Sequence, residues 1–269
     1  MTYIKSPLRY PGGKSKALNQ ILPLVPPDIT EYREPFIGGG SVFLAIKQQS
    51  GHRIKRYWIN DLNYDLFCFW IAARDNTELL ADAVVKVRQN YPDGKALFSD
   101  YTREDLKLND FDRAVRFFVL NRITFSGTVD SGGYSQQAFD RRFTASSIER
   151  LRKLSFCLAH SFITAHDYEQ LLFQAGNNVF IFLDPPYFKA TKSKLYGVKG
   201  ALHTAFDHDR FAAMMQKCPH RWLITYDDSP EIRNLFQFAK ITQWTLQYGM
   251  NNYKQEFALL GQELFIRNY

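Results

Sequence analysis

Two short runs of the sequence are apolar at almost every position, and they constrain the fold more than any other feature. Residues 179–183 are Val-Phe-Ile-Phe-Leu, and residues 221–226 are Arg-Trp-Leu-Ile-Thr-Tyr. A strand with one face in water alternates apolar and polar residues, whereas a strand of a parallel sheet that is covered on both faces does not. Polar residues follow both runs, at 184–187 and 227–229. The pattern predicts an α/β fold with helices on both faces of a parallel sheet.

The N-terminal part of the chain repeats a strand-then-helix pattern. A β-prone run leads into the glycine-rich turn 37–40, and residues 41–49 then predict a helix with its apolar side chains on one side. A second β-prone run, 56–60, stops at Asp61 and precedes a helical pattern at about 63–73. Two successive β-α units are therefore expected.

The pattern changes in the middle of the chain. Between about residues 75 and 147 it predicts helices, such as one at 112–121, and then a polar, glycine-rich hairpin or loop at 126–133. We therefore expect an α/β domain made of residues 1–74 and 148–269. An inserted, mostly helical subdomain of residues 75–147 interrupts it.

The end of the chain predicts one further pair of strands. Residues 244–248 and 259–267 are both β-prone, and a polar stretch separates them. Such an arrangement is typical of a hairpin. We expect it to close the sheet, with its turn around Asn251, Asn252 and Tyr253.

Positive charge is concentrated near the glycine-rich stretch, at Arg113, Arg116, Arg122, Arg141 and Arg142. The whole chain has 34 Lys and Arg against 27 Asp and Glu, a formal charge of +7 and an isoelectric point near 9.2. Such a balance favours a polyanionic partner. Charge alone does not identify that partner, and a solvated surface is the alternative for these arginines.

The three cysteines, Cys68, Cys157 and Cys218, are odd in number, widely spaced and set among apolar residues. They suit neither a disulfide framework nor a zinc site, so we expect free buried thiols in a reducing cytoplasm, and no metal. The N-terminus lacks the apolar run of a signal peptide, and no stretch is long and apolar enough to span a bilayer. A soluble, cytoplasmic protein with no membrane partner is expected.

The most informative local motif is Asp184-Pro185-Pro186-Tyr187, directly after an apolar strand. Ligands of open α/β sheets bind at the carboxyl ends of strands, and two prolines hold this loop in one shape. The Asp184 carboxylate and the Pro185 carbonyl can hold the two N–H groups of a planar amine during methyl transfer. Tyr187 can stack on a base that has left the duplex. Out of context, the alternative is an ordinary surface turn.

Context comes from the glycine-rich turn Phe36-Ile37-Gly38-Gly39-Gly40-Ser41. Such a turn can hold a phosphate, approach a nucleoside or simply pack tightly. Asp61 ends the next strand, where an acidic residue can bind the ribose hydroxyls of a nucleoside cofactor. The sequence has neither a phosphate-loop Lys-Ser pair here nor dinucleotide spacing of its glycines, which disfavours ATP and NAD.

Together these motifs resemble the Dam-type, or class alpha, DNA adenine methyltransferases. The resemblance rests on the glycine-rich turn and Asp184-Pro185-Pro186-Tyr187, in that order, and covers nearly the whole chain. It extends to residues 8–14 (Leu-Arg-Tyr-Pro-Gly-Gly-Lys), 121–127 (Asn-Arg-Ile-Thr-Phe-Ser-Gly) and 263–266 (Glu-Leu-Phe-Ile). It implies a Rossmann-like S-adenosylmethionine-binding domain and a target-recognition insertion.

The resemblance also implies roles for individual residues. Those that match cofactor-binding positions are Tyr10, Lys14, Phe36, Gly38, Gly40, Asp61, Asp167, Tyr168 and Asp184. The catalytic loop is Asp184, Pro185, Pro186 and Tyr187, and the DNA-binding candidates are Arg116, Asn121, Arg122, Ser126 and Arg141. The best-known Dam enzymes have Trp-Ala where this chain has Tyr10-Pro11, and both aromatic residues can pack against a cofactor.

The resemblance implies that the chain transfers the methyl group of S-adenosylmethionine to the exocyclic amino group of a flipped-out adenine in double-stranded DNA. We expect a monomer, since one site suffices for one strand at a time. RNA adenine or a glutamine amide as acceptor, and a non-catalytic DNA-binding module, are the alternatives. The sequence specifies neither the recognition site nor whether a restriction endonuclease accompanies the enzyme.

Overall fold

The computed structural model of the chain describes residues 4–188, 206–247 and 260–269. Its centre is a seven-stranded sheet in the order β3-β2-β1-β4-β5-β7-β6. The strands are β1 (Glu31–Glu34), β2 (Arg56–Asn60), β3 (Ser161–Thr164), β4 (Val179–Leu183), β5 (Arg221–Asp227), β6 (Lys240–Gln247) and β7 (Leu260–Arg267). Strands β1 to β5 are parallel, and β7 is antiparallel to both of its neighbours. The predicted α/β fold with a Rossmann-like sheet is confirmed.

Strand β4 shows why its sequence has no polar alternation. All five of its residues are buried. Phe180 and Phe182 belong to the hydrophobic core on one face of the sheet, whereas Val179, Ile181 and Leu183 belong to the core on the other face. A strand covered by helices on both faces needs apolar side chains on both.

Helices cover both faces of this sheet. They are α1 (Leu18–Ile21), α2 (Ser41–Ser50), α3 (Tyr64–Asp75), α4 (Thr77–Asn90), α5 (Gly94–Tyr101), α6 (Asp110–Ile123), α7 (Gln136–Arg142), α8 (Ala145–Arg152), α9 (Leu154–Leu158), α10 (Tyr168–Phe173), α11 (His208–Lys217) and α12 (Pro230–Leu235). Several begin after a side chain that accepts a backbone N–H. Asn63 accepts that of Leu66 and Asn109 accepts that of Asp112.

Helices α4 to α8 form the region predicted as an inserted subdomain. Helix α6 packs along α3, where the Phe118 ring stacks on the Phe69 ring with centroids 5.9 Å apart. Both rings belong to the same core as one face of the sheet. The predicted limit between residues 147 and 148 falls inside α8, and the division into domains stays a prediction.

The glycine-rich stretch after α6 was predicted as a hairpin or loop. It is a loop of two short 3₁₀ turns, Phe125–Gly127 and Val129–Ser131, closed by an antiparallel bridge between Thr124 and Tyr134. The backbone N–H of Phe125 donates to the Gly133 carbonyl at 3.0 Å. We call residues 124–134 the bridge loop.

Strands β6 and β7 confirm the predicted antiparallel pair near the C-terminus, with Thr242 opposite Phe265. The predicted turn residues Asn251, Asn252 and Tyr253 lie outside the described residues. Strand β7 inserts between β5 and β6, so side chains of β7 lie beside the end of β5.

The topology singles out one edge of the sheet. From β1 the chain continues to β2 and β3 on one side, and then crosses to β4 and β5 on the other. The strand order therefore reverses between β1 and β4, which are direct neighbours. In open α/β sheets, ligands bind outside the carboxyl ends of the strands at such a point.

Candidate active site

A cavity of about 250 Å³ opens at this edge of the sheet. Its walls come from the N-terminal segment, the turn after β1, the ends of β2 and β4, and the start of α10. All the residues predicted to bind the cofactor line it: Tyr10, Lys14, Phe36, Gly38, Gly40, Asp61, Asp167, Tyr168 and Asp184. The fold thus brings together residues from widely separated stretches of the sequence.

Two glycines of the turn after β1 have a left-handed backbone, with φ of +45° at Gly38 and +69° at Gly40. A Cβ atom at Gly38 would lie 2.8 Å from the Tyr10 ring, and one at Gly40 would lie 2.7 Å from the Trp70 ring. Both distances are too short for van der Waals contact, so the turn requires glycine for its conformation and for its packing. Trp70 Nε1 also donates to the Gly38 carbonyl at 3.2 Å.

Asp61 holds the same turn from the end of β2. Its carboxylate accepts the backbone N–H of Gly38 and that of Asn63, both at 3.0 Å. Burial raises the pKa of Asp61 to about 6, although these two hydrogen bonds lower it. A carboxylate has room for further donors, so Asp61 can also accept hydroxyl groups of a ligand in the cavity.

Glu34 is a cavity residue that the sequence reasoning missed. It ends β1, is only 2% exposed, and accepts the Tyr32 hydroxyl at 2.5 Å. Burial raises the pKa of Glu34 well above its usual range, and the negative charges of Asp184 and Asp61 raise it further. The sequence feature that could have identified Glu34 is an acidic residue at the end of a predicted strand, just before the glycine-rich turn.

Asp184, at the end of β4, is held by two other parts of the chain. Its Oδ2 accepts Lys14 Nζ at 2.7 Å, and its Oδ1 accepts the Thr225 hydroxyl of β5 at 2.8 Å. Lys14 is 2% exposed and also donates to the Gly12 carbonyl at 2.8 Å. The charge of Lys14, which was predicted to bind the cofactor, is therefore directed at Asp184.

The rest of the predicted catalytic loop surrounds this ion pair. Pro186 lines the cavity and Pro185 is buried. The Tyr187 hydroxyl donates to Glu263 Oε2 of β7 at 2.8 Å, and the ring centroid lies 4.9 Å from Lys14 Nζ. Thr225 and Glu263 were not predicted to act at the site. For Glu263 the signal was a charged residue inside a β-prone run.

The opposite end of the cavity is aromatic. The Tyr168 ring lies 5.6 Å from that of Phe36 and 6.0 Å from that of Phe206. The buried Tyr168 hydroxyl has no hydrogen-bond partner within the described ranges. Asp167 caps α10 beside it and pairs with Arg210 at 3.4 Å. A flat ring with polar edges, such as a purine, fits such an environment.

Asn121 and Arg122 are buried inside the protein. Asn121 is fully buried, and its side chain bonds both backbone groups of Arg9 and the Gly127 carbonyl at 2.8–3.0 Å. Arg122 is 4% exposed and donates to the carbonyls of Pro7 and Arg142. Both side chains attach the N-terminal segment to the bridge loop and to α7, so a direct DNA contact would require them to leave these partners, and their DNA-binding role stays a prediction.

The other DNA-binding candidates differ among themselves. Arg116 is mostly buried and pairs with Asp65 at 3.1 Å and with Asp130 at 2.5 Å. Arg141, in the last turn of α7, is exposed, and Ser126 is half-buried in the bridge loop. Only Arg141 and Ser126 of the five candidates are therefore open to a partner without rearrangement.

Within the described ranges, no group of three or more His, Cys, Asp or Glu side chains is arranged to hold a metal ion. No helix there has the length and apolar character needed to cross a membrane. Cys68, Cys157 and Cys218 are buried free thiols, as predicted.

Comparison with known proteins gives the site its context. The profile of the family described as D12 class N6 adenine-specific DNA methyltransferase matches residues 10–250. The type II methyltransferase M1.LlaDCHI of Lactococcus lactis subsp. cremoris is 24% identical over 245 residues, which cover 85% of this chain and 75% of that protein. The DNA adenine methylase of Vibrio cholerae is 23% identical over 250 residues, which cover 87% and 85%. That of Escherichia coli is 25% identical over 191 residues, which cover 67% and 64%.

The family profile spans every part of the cavity and of the loop after β4. Enzymes of this family act on DNA with a methyl donor of the S-adenosylmethionine type. The chain belongs to the D12 class of N6 adenine-specific DNA methyltransferases, and it methylates adenine in DNA at specific sites.

Proposed function

We propose that the cavity binds S-adenosylmethionine and that the loop 184–187 receives an adenine flipped out of double-stranded DNA. The observation that carries this proposal is the position of Asp184. Its carboxylate lies at the cavity wall, while Tyr187 of the same loop points toward β7, outside the cavity lining. Cofactor and base can thus approach the loop from different sides.

The cavity fits the cofactor from end to end. The ribose hydroxyls would bind Asp61, and the adenine would lie against the aromatic end of the cavity formed by Phe36 and Tyr168. At the other end, the Asp184 carboxylate suits the positive charges of the methionine part, and the Glu34 carboxyl group can form hydrogen bonds with its polar groups. When bound, the cofactor supplies an electrophilic methyl group on a sulfonium.

The loop after β4 provides acceptors for the amine. The lone pair of an adenine amine is delocalised into the ring, and hydrogen bonds that hold both N–H groups favour the pyramidal nitrogen that attacks. Asp184 and the Pro185 carbonyl supply these acceptors. Lys14 and Thr225 occupy only part of the hydrogen-bonding capacity of Asp184, and they fix its orientation. The Tyr187 ring stacks on the base and offsets part of the cost of unstacking it.

Arginines beside the bridge loop form the proposed DNA surface. Arg122 is surrounded by Arg9, Arg150 and Arg142. Burial, together with the charges of these three arginines, lowers the pKa of Arg122 to about 9. Cations held together in this way attract phosphates. We propose that Arg142 and Arg141, both exposed, contact the backbone, while Arg122 holds the surface in shape.

Phe125 projects from the same surface. It is 68% exposed in the bridge loop, although it directly follows buried Thr124. Proteins that distort DNA often insert apolar side chains between bases. We propose that Phe125 fills the gap that the flipped adenine leaves. Asn121, through Gly127 and Arg9, would keep the bridge loop rigid for this purpose.

The remaining proposals concern target recognition, oligomeric state and cellular context. We propose that residues 75–147 recognise the target sequence and that the enzyme acts as a monomer in the cytoplasm, where it meets DNA. Relatives named type II methyltransferase or modification methylase support a restriction–modification setting.

Replacing the proposed amine acceptor tests the function directly. We expect Asp184→Ala to slow single-turnover methylation of duplex DNA by about 100- to 1,000-fold, because an oriented group at the reacting nitrogen is lost. Tritium transfer from labelled S-adenosylmethionine measures the rate. The matched control is Asp28→Ala, which removes an exposed carboxylate ahead of β1, outside the proposed recognition region, and should keep the wild-type rate. Equal rates for Asp184→Ala and wild type, or faster wild-type transfer to RNA than to duplex DNA, would contradict the proposal.

Cofactor affinity should depend on the ionisation of Asp61. Ribose hydroxyls donate to the ionised carboxylate, so binding favours that form and affinity is lost as the pH falls through about 6. With that pKa, the dissociation constant of S-adenosylmethionine should be about tenfold higher at pH 5 than at pH 7.5. Isothermal titration calorimetry measures it. Asp61→Asn should bind weakly and with a flatter pH profile, and a variant that kept the full pH dependence would rule out Asp61 as its cause.

The DNA surface can be tested through salt dependence. A phosphate contact contributes about 0.9 to the slope of log affinity against log salt concentration. We expect Arg142→Ala to make this slope shallower by about that amount on any DNA sequence. Arg53→Ala, an exposed position ahead of β2 at the opposite end of the sheet, is the control. Fluorescence anisotropy with a labelled duplex gives both slopes, and identical slopes for Arg142→Ala and wild type would exclude this contact.

A further inference from the structure

The loop 184–187 is attached to the antiparallel end of the sheet by side chains outside the cavity. The Tyr187 hydroxyl donates to Glu263 Oε2 of β7 at 2.8 Å. The next backbone N–H, that of Phe188, donates to Asp227 Oδ1 of β5 at 2.9 Å. Together with Thr225 on Asp184, these contacts fix both ends of the loop.

The two carboxylates that hold Tyr187 and Phe188 are unusual in their placement. Asp227 and Glu263 lie directly opposite each other in the register of β5 and β7, and they are 8% and 0% exposed. Two acidic residues facing each other in a buried part of a sheet disfavour strand pairing. Their placement provides the loop with two acceptors, one for the Tyr187 hydroxyl and one for the Phe188 backbone N–H.

We propose that Glu263 is a positioning residue that holds the Tyr187 ring in place for the target base. This inference rests on the proposed stacking of Tyr187 on the flipped adenine. The hydroxyl oxygen of a tyrosine lies on the axis about which its ring rotates, so a hydrogen bond at the hydroxyl stops rotation about Cα–Cβ and fixes where the ring lies. Because a phenolic O–H prefers to lie in the plane of its ring, the direction of the bond also favours one orientation of that plane. Without that bond, the ring is free to settle on Lys14 or on Tyr226, whose centroid lies 6.0 Å away.

Glu263 should affect stacking and methylation of the target adenine, but not binding of S-adenosylmethionine. Among the described residues, those lining the cavity do not include Glu263 or Tyr187. Loss of the contact should therefore leave the dissociation constant of S-adenosylmethionine unchanged. It should slow methyl transfer and alter stacking of the flipped base, a combination that general damage to the fold would not produce.

The test compares Tyr187→Phe, Glu263→Ala, the double variant and Glu263→Gln in single-turnover methylation of duplex DNA. A hydrogen bond to a charged group supports an expected loss of about ten- to a hundredfold for each of the first two. The double variant should be no slower than either, because both changes remove one contact. Glu263→Gln, whose amide oxygen still accepts, should keep most of the rate. Gln262→Ala, an exposed neighbour on β7, is the control.

A duplex with 2-aminopurine at the target position provides a spectroscopic readout, since its fluorescence reports how the flipped base stacks. We expect Tyr187→Phe and Glu263→Ala to change this signal alike, with cofactor binding as in wild type. Tyr187→Phe leaves the strands untouched, so the test survives if Glu263→Ala fails to fold. Wild-type rates for Tyr187→Phe, additive losses in the double variant, or Glu263→Gln as slow as Glu263→Ala would each overturn the inference.

The Tyr187→Ala variant distinguishes the role of Glu263 from the proposed stacking of Tyr187 on the flipped base. If Tyr187→Ala is slow while Tyr187→Phe and Glu263→Ala are fast, stacking stands and the role of Glu263 is overturned. If Tyr187→Ala itself keeps the wild-type rate and the wild-type 2-aminopurine signal, the proposed stacking fails, and the inference falls with it.

Discussion

The ion pair between Lys14 and Asp184 is the contact on which the rest of the site depends. It joins the N-terminal segment to the end of β4 at 2.7 Å, and Lys14 is almost completely buried. A buried ammonium without a partner is strongly unfavourable, so the two side chains hold each other in place. The N-terminal segment that Lys14 anchors also carries Tyr10, whose ring packs on the turn after β1. The wall of the cavity and the loop 184–187 are therefore connected through the N-terminal segment.

Charge is divided between two regions of the molecule. Carboxyl groups surround the cavity at Glu34, Asp61 and Asp184, whereas guanidinium groups gather at Arg9, Arg122 and the end of α7. Lys14 pairs with Asp184 inside the cavity, and burial keeps the pKa of Glu34 high, so Asp61 is left as a carboxylate without an ion-pair partner among the described residues. Under the proposed function, the cavity receives the cationic methyl donor and the basic surface attracts the DNA backbone to the neighbouring bridge loop.

Much of the fold and of the candidate site was predictable from the sequence, because the signals are local. The continuous apolar runs identified β4 and β5, and the predicted cofactor residues all line one cavity. The burial of Asn121 and Arg122 was not predictable, for a physical reason. Polar residues usually lie on surfaces, and nothing near them in sequence reveals that Arg9 and Pro7, more than a hundred residues away, use their hydrogen bonds. Thr225 and Glu263 were not predicted for a similar reason. They contact the loop 184–187 because β5 is the neighbour of β4 and β7 is the neighbour of β5 in the sheet.

The central claim is that Asp184 is where the cofactor and the flipped adenine meet. A crystal structure of the enzyme with duplex DNA and a cofactor analogue that lacks a transferable methyl group tests it most directly. The account predicts the analogue in the cavity beside Asp61. It predicts the adenine amine within hydrogen-bond distance, about 3 Å, of the Asp184 carboxylate and the Pro185 carbonyl, with Tyr187 stacked on the base. An adenine still paired in the duplex, or an analogue bound away from Asp184, would contradict the account.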